Sequence, residues 1–227
     1  MQDIFTQQPD IVTAATDLVI SIMAAAFAGS LIINNTIKSP VRRMCVMMFA
    51  AVFAAGLAGA VLHGIEAVNQ SFAAEQSLRV FTAACLGAAA VPVVYLCMYC
   101  AAGRQQAASL RAAALIFWAI TVIAAAVSAS KGYRAFGPVY IYSAVCIGFA
   151  AVSGGYCIAK GKSREIIYLL VSIAAAGIGI LLQNLIAEDK VLKLIVEFNH
   201  SGLAHIAVIA VMPLTYIWCD RLLKKNR

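Results

Sequence analysis

The sequence predicts an all-α, polytopic bundle of seven transmembrane helices, with the N-terminus outside and the C-terminus in the cytoplasm, on three observations. Of the 227 residues, 63% are hydrophobic and only 12% are charged, with a mean hydropathy of +0.90. That leaves too few polar side chains to cover a water-soluble globule. Apolar runs recur seven times at spanning length, a crossing needing roughly 20 such residues. The basic residues segregate to alternate loops, as the positive-inside rule requires.

The runs lie at 11–33, 44–65, 80–101, 110–129, 138–159, 166–186 and 202–223, and they predict one domain over residues 1–227. The first follows MQDIFTQQPD, which is acidic and polar. It lacks the cationic flank and small-residue cleavage site of a secretory signal, so this helix is expected to be retained. The second contains a small-residue run at 54–60 and ends on His63-Gly64. The third carries Pro92, whose missing N–H frees a carbonyl one turn earlier and predicts a kink that shapes a cavity or serves packing. It also carries Cys97 and Cys100. With no second CxxC in the chain, this pair reads as packing rather than a metal or redox motif. All seven cysteines fall in or beside apolar runs, where the thiol behaves as a small hydrophobe, and no disulfide framework is expected.

The fourth run is plain. The fifth opens near Pro138, and a proline at a helix start costs little, as at Pro40. Tyr140 and Tyr142 follow there, as interfacial anchors or as the lining of an access path from lipid. The sixth has a second small-residue run at 174–179, then Gln183 and Asn184 near its end. Such runs let helix backbones approach closely. The seventh is introduced by FNHSGLAHIAVI and contains Pro213.

Twelve of the seventeen basic residues fall in loops one, three and five or at the C-terminus, including Lys38, Arg42, Arg43, Lys160, Lys162, Lys224 and Lys225. Only Arg79, Lys131, Arg134, Lys190 and Lys193 fall in the even loops. This asymmetry sets the orientation. A net charge of +7 suggests nucleic acid in a soluble protein. Here the charges are dispersed between spans and act as topology signals, so no nucleic-acid partner is expected.

An ionisable side chain inside a span costs several kcal/mol unless it is paired, solvated or metal-bound. Asp17 lies about two turns into the first helix. His63 closes the second helix, and His200 and His205 open the seventh. The alternating topology puts all four at one depth near the outer leaflet. One carboxylate and three imidazoles match the ligand set of a zinc site, with donors from three helices and water in an open position. His200 and His205 are five apart, about 140° around a regular helix, so sharing an ion requires an irregular helix start at His200. Asn199 and Ser201 suit such a start. Glu66 and Glu197 stand three residues from His63 and His200. They read as solvated loop charges.

An Asp in helix one, His-Gly at the end of helix two and Asn-His-x-x-x-x-His entering helix seven resemble a little-characterised group of bacterial seven-helix membrane proteins. The residues that carry the resemblance are Asp17, His63, Gly64, Asn199, His200 and His205. That group is in turn similar to the superfamily of alkaline ceramidases and adiponectin and progestin receptors, which hold zinc on three histidines and include lipid amide hydrolases. Gly59 stands where the superfamily has Ser, and its Asp usually sits in helix three. The resemblance implies a bacterial inner-membrane protein, zinc on His63, His200 and His205, and Asp17 as both a metal neighbour and the catalytic base. Its substrate would be a lipid or other amphiphile carrying an amide or ester; Gln183 and Asn184, near the outer end of the sixth helix, read as supporting hydrogen-bond donors or as polar contacts between helices.

The competing class is a non-enzymatic sensor, transporter or assembly subunit with a polar Asp/His cluster. A retinal protein is disfavoured, because the seventh span has no lysine before Lys224 and Lys225. No pair of broken helices in two halves marks a transporter.

Overall fold

Every predicted run forms a helix. The computed structural model describes residues 9–35, 38–67, 72–132, 136–185, 192–193, 197–198 and 200–225, with side chains described except at 9–10, 66–67, 72–73, 180–185, 192–193, 197–198 and 200–203. The helices are α1 (Pro9–Asn34), α2 (Pro40–Ala67), α3 (Phe72–Ala102), α4 (Arg104–Ser130), α5 (Phe136–Ala159), α6 (Ile166–Leu185) and α7 (His200–Lys225). α3 starts eight residues before its apolar run. Glu75 and Arg79 pair one turn apart at 2.9 Å and continue the helix past the apolar boundary.

Between α6 and α7, β1 (Leu192–Lys193) and β2 (Glu197–Phe198) pair antiparallel, with Leu192 opposite Phe198. This ladder is an addition to the all-α reading. Two-residue strands are too short to leave a period in sequence.

Among the described residues, six helices are long and apolar enough to cross a membrane: α1, α2, α3, α4, α5 and α7. α6 has 20 residues of backbone, roughly 30 Å, with Ile166–Gly179 as its described apolar stretch. Large apolar side chains face outward along the helices, Ile33 and Val152 at 76% exposure among them. Outward apolar faces on spanning helices belong in hydrocarbon. The chain is a multi-pass helical membrane protein.

α1 packs on α2 and α7, α2 on α3, α3 on α4 and α5, and α6 on α5 and α7. Both small-residue runs serve these contacts. A Cβ at Gly179 would stand 2.5 Å from the Ala207 methyl, so α6 and α7 meet at bare backbone. α3 and α7 run unbroken through Pro92 and Pro213.

The turns are built for short connections. α2 starts with Ser39 accepting the Arg42 N–H at 3.1 Å and Pro40 in its first position. Gly161, at φ 64°, ends α5 while the Lys162 N–H reaches back to the Cys157 carbonyl at 2.9 Å, a closure that requires the left-handed region. Cations then cap helix C-termini. Arg42 donates to the Ile32 carbonyl of α1 at 2.8 Å, and Lys162 donates to the Ala101 carbonyl of α3 at 2.6 Å. Glu165 binds this corner through Ser163 at 3.0 Å and Lys225 at 3.7 Å. Its carboxyl is held below the usual range by its own backbone N–H first, then by Ser163, Lys225 and Arg221.

The main core lies toward this end, with Trp218, Phe49, Leu31, Leu96 and the thiols Cys45, Cys97 and Cys219 fully or almost fully buried. Cys97 and Cys100 belong to this packing, and all seven cysteines are free thiols.

Candidate metal centre

On α1, Thr13, Asp17 and Ser21 recur every four residues and so share one face. All three are buried, at 0%, 6% and 1% exposure. Such a stripe needs a neighbour that yields space and hydrogen bonds. α2 supplies both. Gly56 and Gly59 present bare backbone to it: a Cβ at Gly59 would lie 2.5 Å from Asp17 Oδ2, and one at Gly56 would lie 2.8 Å from Ser21 Oγ. Ser21 donates to the Phe53 carbonyl at 2.8 Å.

His63 is four residues beyond Gly59, one turn further along the same face of α2. Its Nε2 lies 3.8 Å from Asp17 Oδ2. From α7, His205 Nδ1 lies 3.5 Å from Asp17 Oδ1 and 3.1 Å from Thr16 Oγ1. The two imidazole centroids are 6.0 Å apart, inclined at 63°. The three residues meet at one end of the bundle because α1 and α7 begin there and α2 ends there.

Asp17, His63 and His205 each offer one donor atom, and these atoms lie within 4.8 Å of one another. Zinc bonds of about 2.1 Å at tetrahedral angles set donors roughly 3.4 Å apart. Side-chain rotations would have to close that gap. Asp17 Oδ2 is buried and receives no hydrogen bond from the described residues. An ionisable acceptor in that state suits a cation or an ordered water.

Of the four residues expected to converge, the structure brings together Asp17, His63 and His205. His200 is the first residue of α7, and its side chain lies outside the described residues, as do those of Asn199, Glu66, Glu197, Gln183 and Asn184. Tyr142 does not line this site. It is buried among α3, α4 and α5, its ring edge-on to Phe117 and its hydroxyl 3.4 Å from the Ala114 carbonyl. Tyr140 is 57% exposed and stacks on Phe136 of the same helix. α5 packs on α3, α4 and α6, whereas the site belongs to α1, α2 and α7.

Sequence reasoning missed Thr16, Thr13, Gly56 and Gly59 as parts of the site. The signals were present: a four-residue polar period on α1, and a glycine one turn before His63. Gly59, which departs from the serine of the ceramidase and receptor superfamily, is the position against which Asp17 packs.

No curated protein and no solved structure matches the chain, so the comparisons give no link to ceramidases or receptors. A family model matches over residues 12–224, a range that takes in Asp17, His63 and His205. The chain therefore belongs to the family of unknown function DUF6962.

Proposed function

We propose that this protein holds a divalent metal, zinc by the chemistry of its donors, on Asp17, His63 and His205, with His200 completing the set. The reading rests on one observation: the Asp17 carboxylate, buried and with Oδ2 unbonded, stands between two imidazoles from two other helices. Imidazole and carboxylate are the ligands of catalytic zinc sites that keep a position open. Bound zinc would acidify a water and polarise a carbonyl. Asp17 would orient that water and take its proton. The substrate would be an amide or ester of a membrane-borne amphiphile, reached from lipid.

The chain would cross a bacterial inner membrane seven times as one domain, N-terminus outside. Twelve of seventeen basic residues support that orientation. A reporter fused after Arg227 is expected to work only in the cytoplasm. Activity on the opposite side reverses the assignment.

Elemental analysis of protein purified in detergent tests the centre, with about one metal per chain expected. His205→Ala should lose the metal and, with it, the stabilisation that ligand binding confers. Asp17→Asn should abolish any turnover of an amide or ester amphiphile. Metal-free wild type together with variants of unchanged stability removes both the centre and the hydrolase reading. One observation favours a second reading, a non-enzymatic polar cluster: His205 Nδ1 already has Thr16 Oγ1 as a partner at 3.1 Å. That outcome would leave a sensor, transporter or assembly subunit.

A further inference from the structure

We infer that Thr16 is a positioning residue that fixes the tautomer of His205, with the hydrogen on Nδ1 and Nε2 left bare. The assignment comes from a hydrogen count; its consequence for metal binding rests on the zinc reading above. A threonine hydroxyl has one hydrogen and two lone pairs. Thr16 Oγ1 donates to the Thr13 carbonyl at 2.7 Å, the local bond that a helical threonine makes to the preceding turn. The same oxygen lies 3.1 Å from His205 Nδ1. The shorter contact is to an atom that can only accept, so it takes the hydrogen. Toward His205 the oxygen then has only a lone pair to offer, and Nδ1 must be the donor.

A neutral imidazole with hydrogen on Nδ1 carries its free lone pair on Nε2. Metal-ligating histidines commonly give their other N–H to a carbonyl, carboxylate or water, which sets ring orientation. Here α1 would supply that partner, the Thr16 hydroxyl, to a histidine on α7. His205 would then bind an ion through Nε2 alone.

The test uses full-length, metal-free protein in detergent with 15N-labelled histidine. Two-bond couplings from the ring nitrogens to the carbon-bound protons report which nitrogen is protonated. Wild type and Thr16→Ser are expected to show the Nδ1–H form at His205, and Thr16→Val a mixture. Zinc titration follows, with binding to T16V expected to weaken about 10-fold or more and T16S expected to bind as wild type does. T16A repeats the comparison should T16V fold poorly by circular dichroism. An Nε2–H tautomer in wild type overturns the inference, and so does a T16V spectrum identical to wild type. Zinc that shifts Nδ1 rather than Nε2 overturns it as well. A wild type that shows Nδ1–H yet binds no zinc upholds the tautomer assignment and ends the zinc reading instead.

Discussion

At one end of α1, α2 and α7 the buried groups include, beside Val12 and Leu62, the polar Thr13, Asp17 and Ser21 against the bare backbone of Gly56 and Gly59. Toward the other end they are Leu31, Phe49 and Trp218, with the thiols of Cys45 and Cys219. The second end is closed by large side chains, with Phe27 stacked on Tyr216 at 4.7 Å and Arg42 capping α1. Trp218 Nε1 there, with no hydrogen-bond partner among the described residues, is the edge of an otherwise apolar ring. The first end spends its small residues on making room for a carboxylate whose Oδ2 has no hydrogen-bond donor among the described residues. A buried acceptor left unsatisfied costs about 1–3 kcal/mol. Packing therefore explains why the thiol-rich end is stable, and it does not explain why Asp17 is there. The comparison separates the part that holds the helices together from the part suited to binding something.

The largest effect should come from the packed end. Trp218→Ala removes the bulkiest fully buried side chain and should cost about 3–5 kcal/mol, read as a lower Tm in detergent. Zinc bound per folded chain should not change. Loss of zinc in step with Tm would mean that the two ends are one unit.

Asp17→Asn probes the polar end. Zinc at 100 times its Kd should stabilise wild type by about 2.7 kcal/mol, and D17N should forfeit most of that gain while its zinc-free Tm moves little. An equal zinc-induced rise in both proteins would show that Asp17 is not a ligand. Gly59→Ala should cost about 1–3 kcal/mol by overpacking and should also weaken zinc binding, because the new methyl meets Asp17 Oδ2. Gly64→Ala is its control, since a Cβ there has no neighbour within 4 Å. If G59A binds zinc as well as G64A does, the slot is not what positions the carboxylate.

The smallest effect lies at the Lys162 corner. Glu165 has its folded pKa depressed below the ordinary glutamate value of 4.5. It therefore adds stability above that value, and this is lost as pH falls through the lower, folded pKa. Glu165→Gln should flatten the dependence of Tm on pH below about 4.5 and leave zinc binding untouched. An unchanged acid limb would remove Glu165 from the clasp.

Composition and periodicity suffice for the helices because lipid forces backbone groups to pair within each span, so an apolar run of the right length has one solution. Asp17, His63 and His205 were legible for a related reason: an ionisable group inside a span must find a partner, and alternating topology matches their depths. Rotation about each helix axis was not legible. The apolar residues surround every span, so nothing in the period says which face meets lipid and which meets α2. Only packing decided that Tyr142 turns in toward α4 while Tyr140 stays outside. It also decided that Gly59, rather than another glycine of its run, faces the carboxylate. The Thr16 contact belongs to the same class, because a hydroxyl on α1 meets an imidazole 189 residues later only when α1 and α7 lie side by side. What must be buried follows from the solvent, residue by residue. What it is buried against depends on how the helices turn toward one another, and that is settled by the fit of side chains between them.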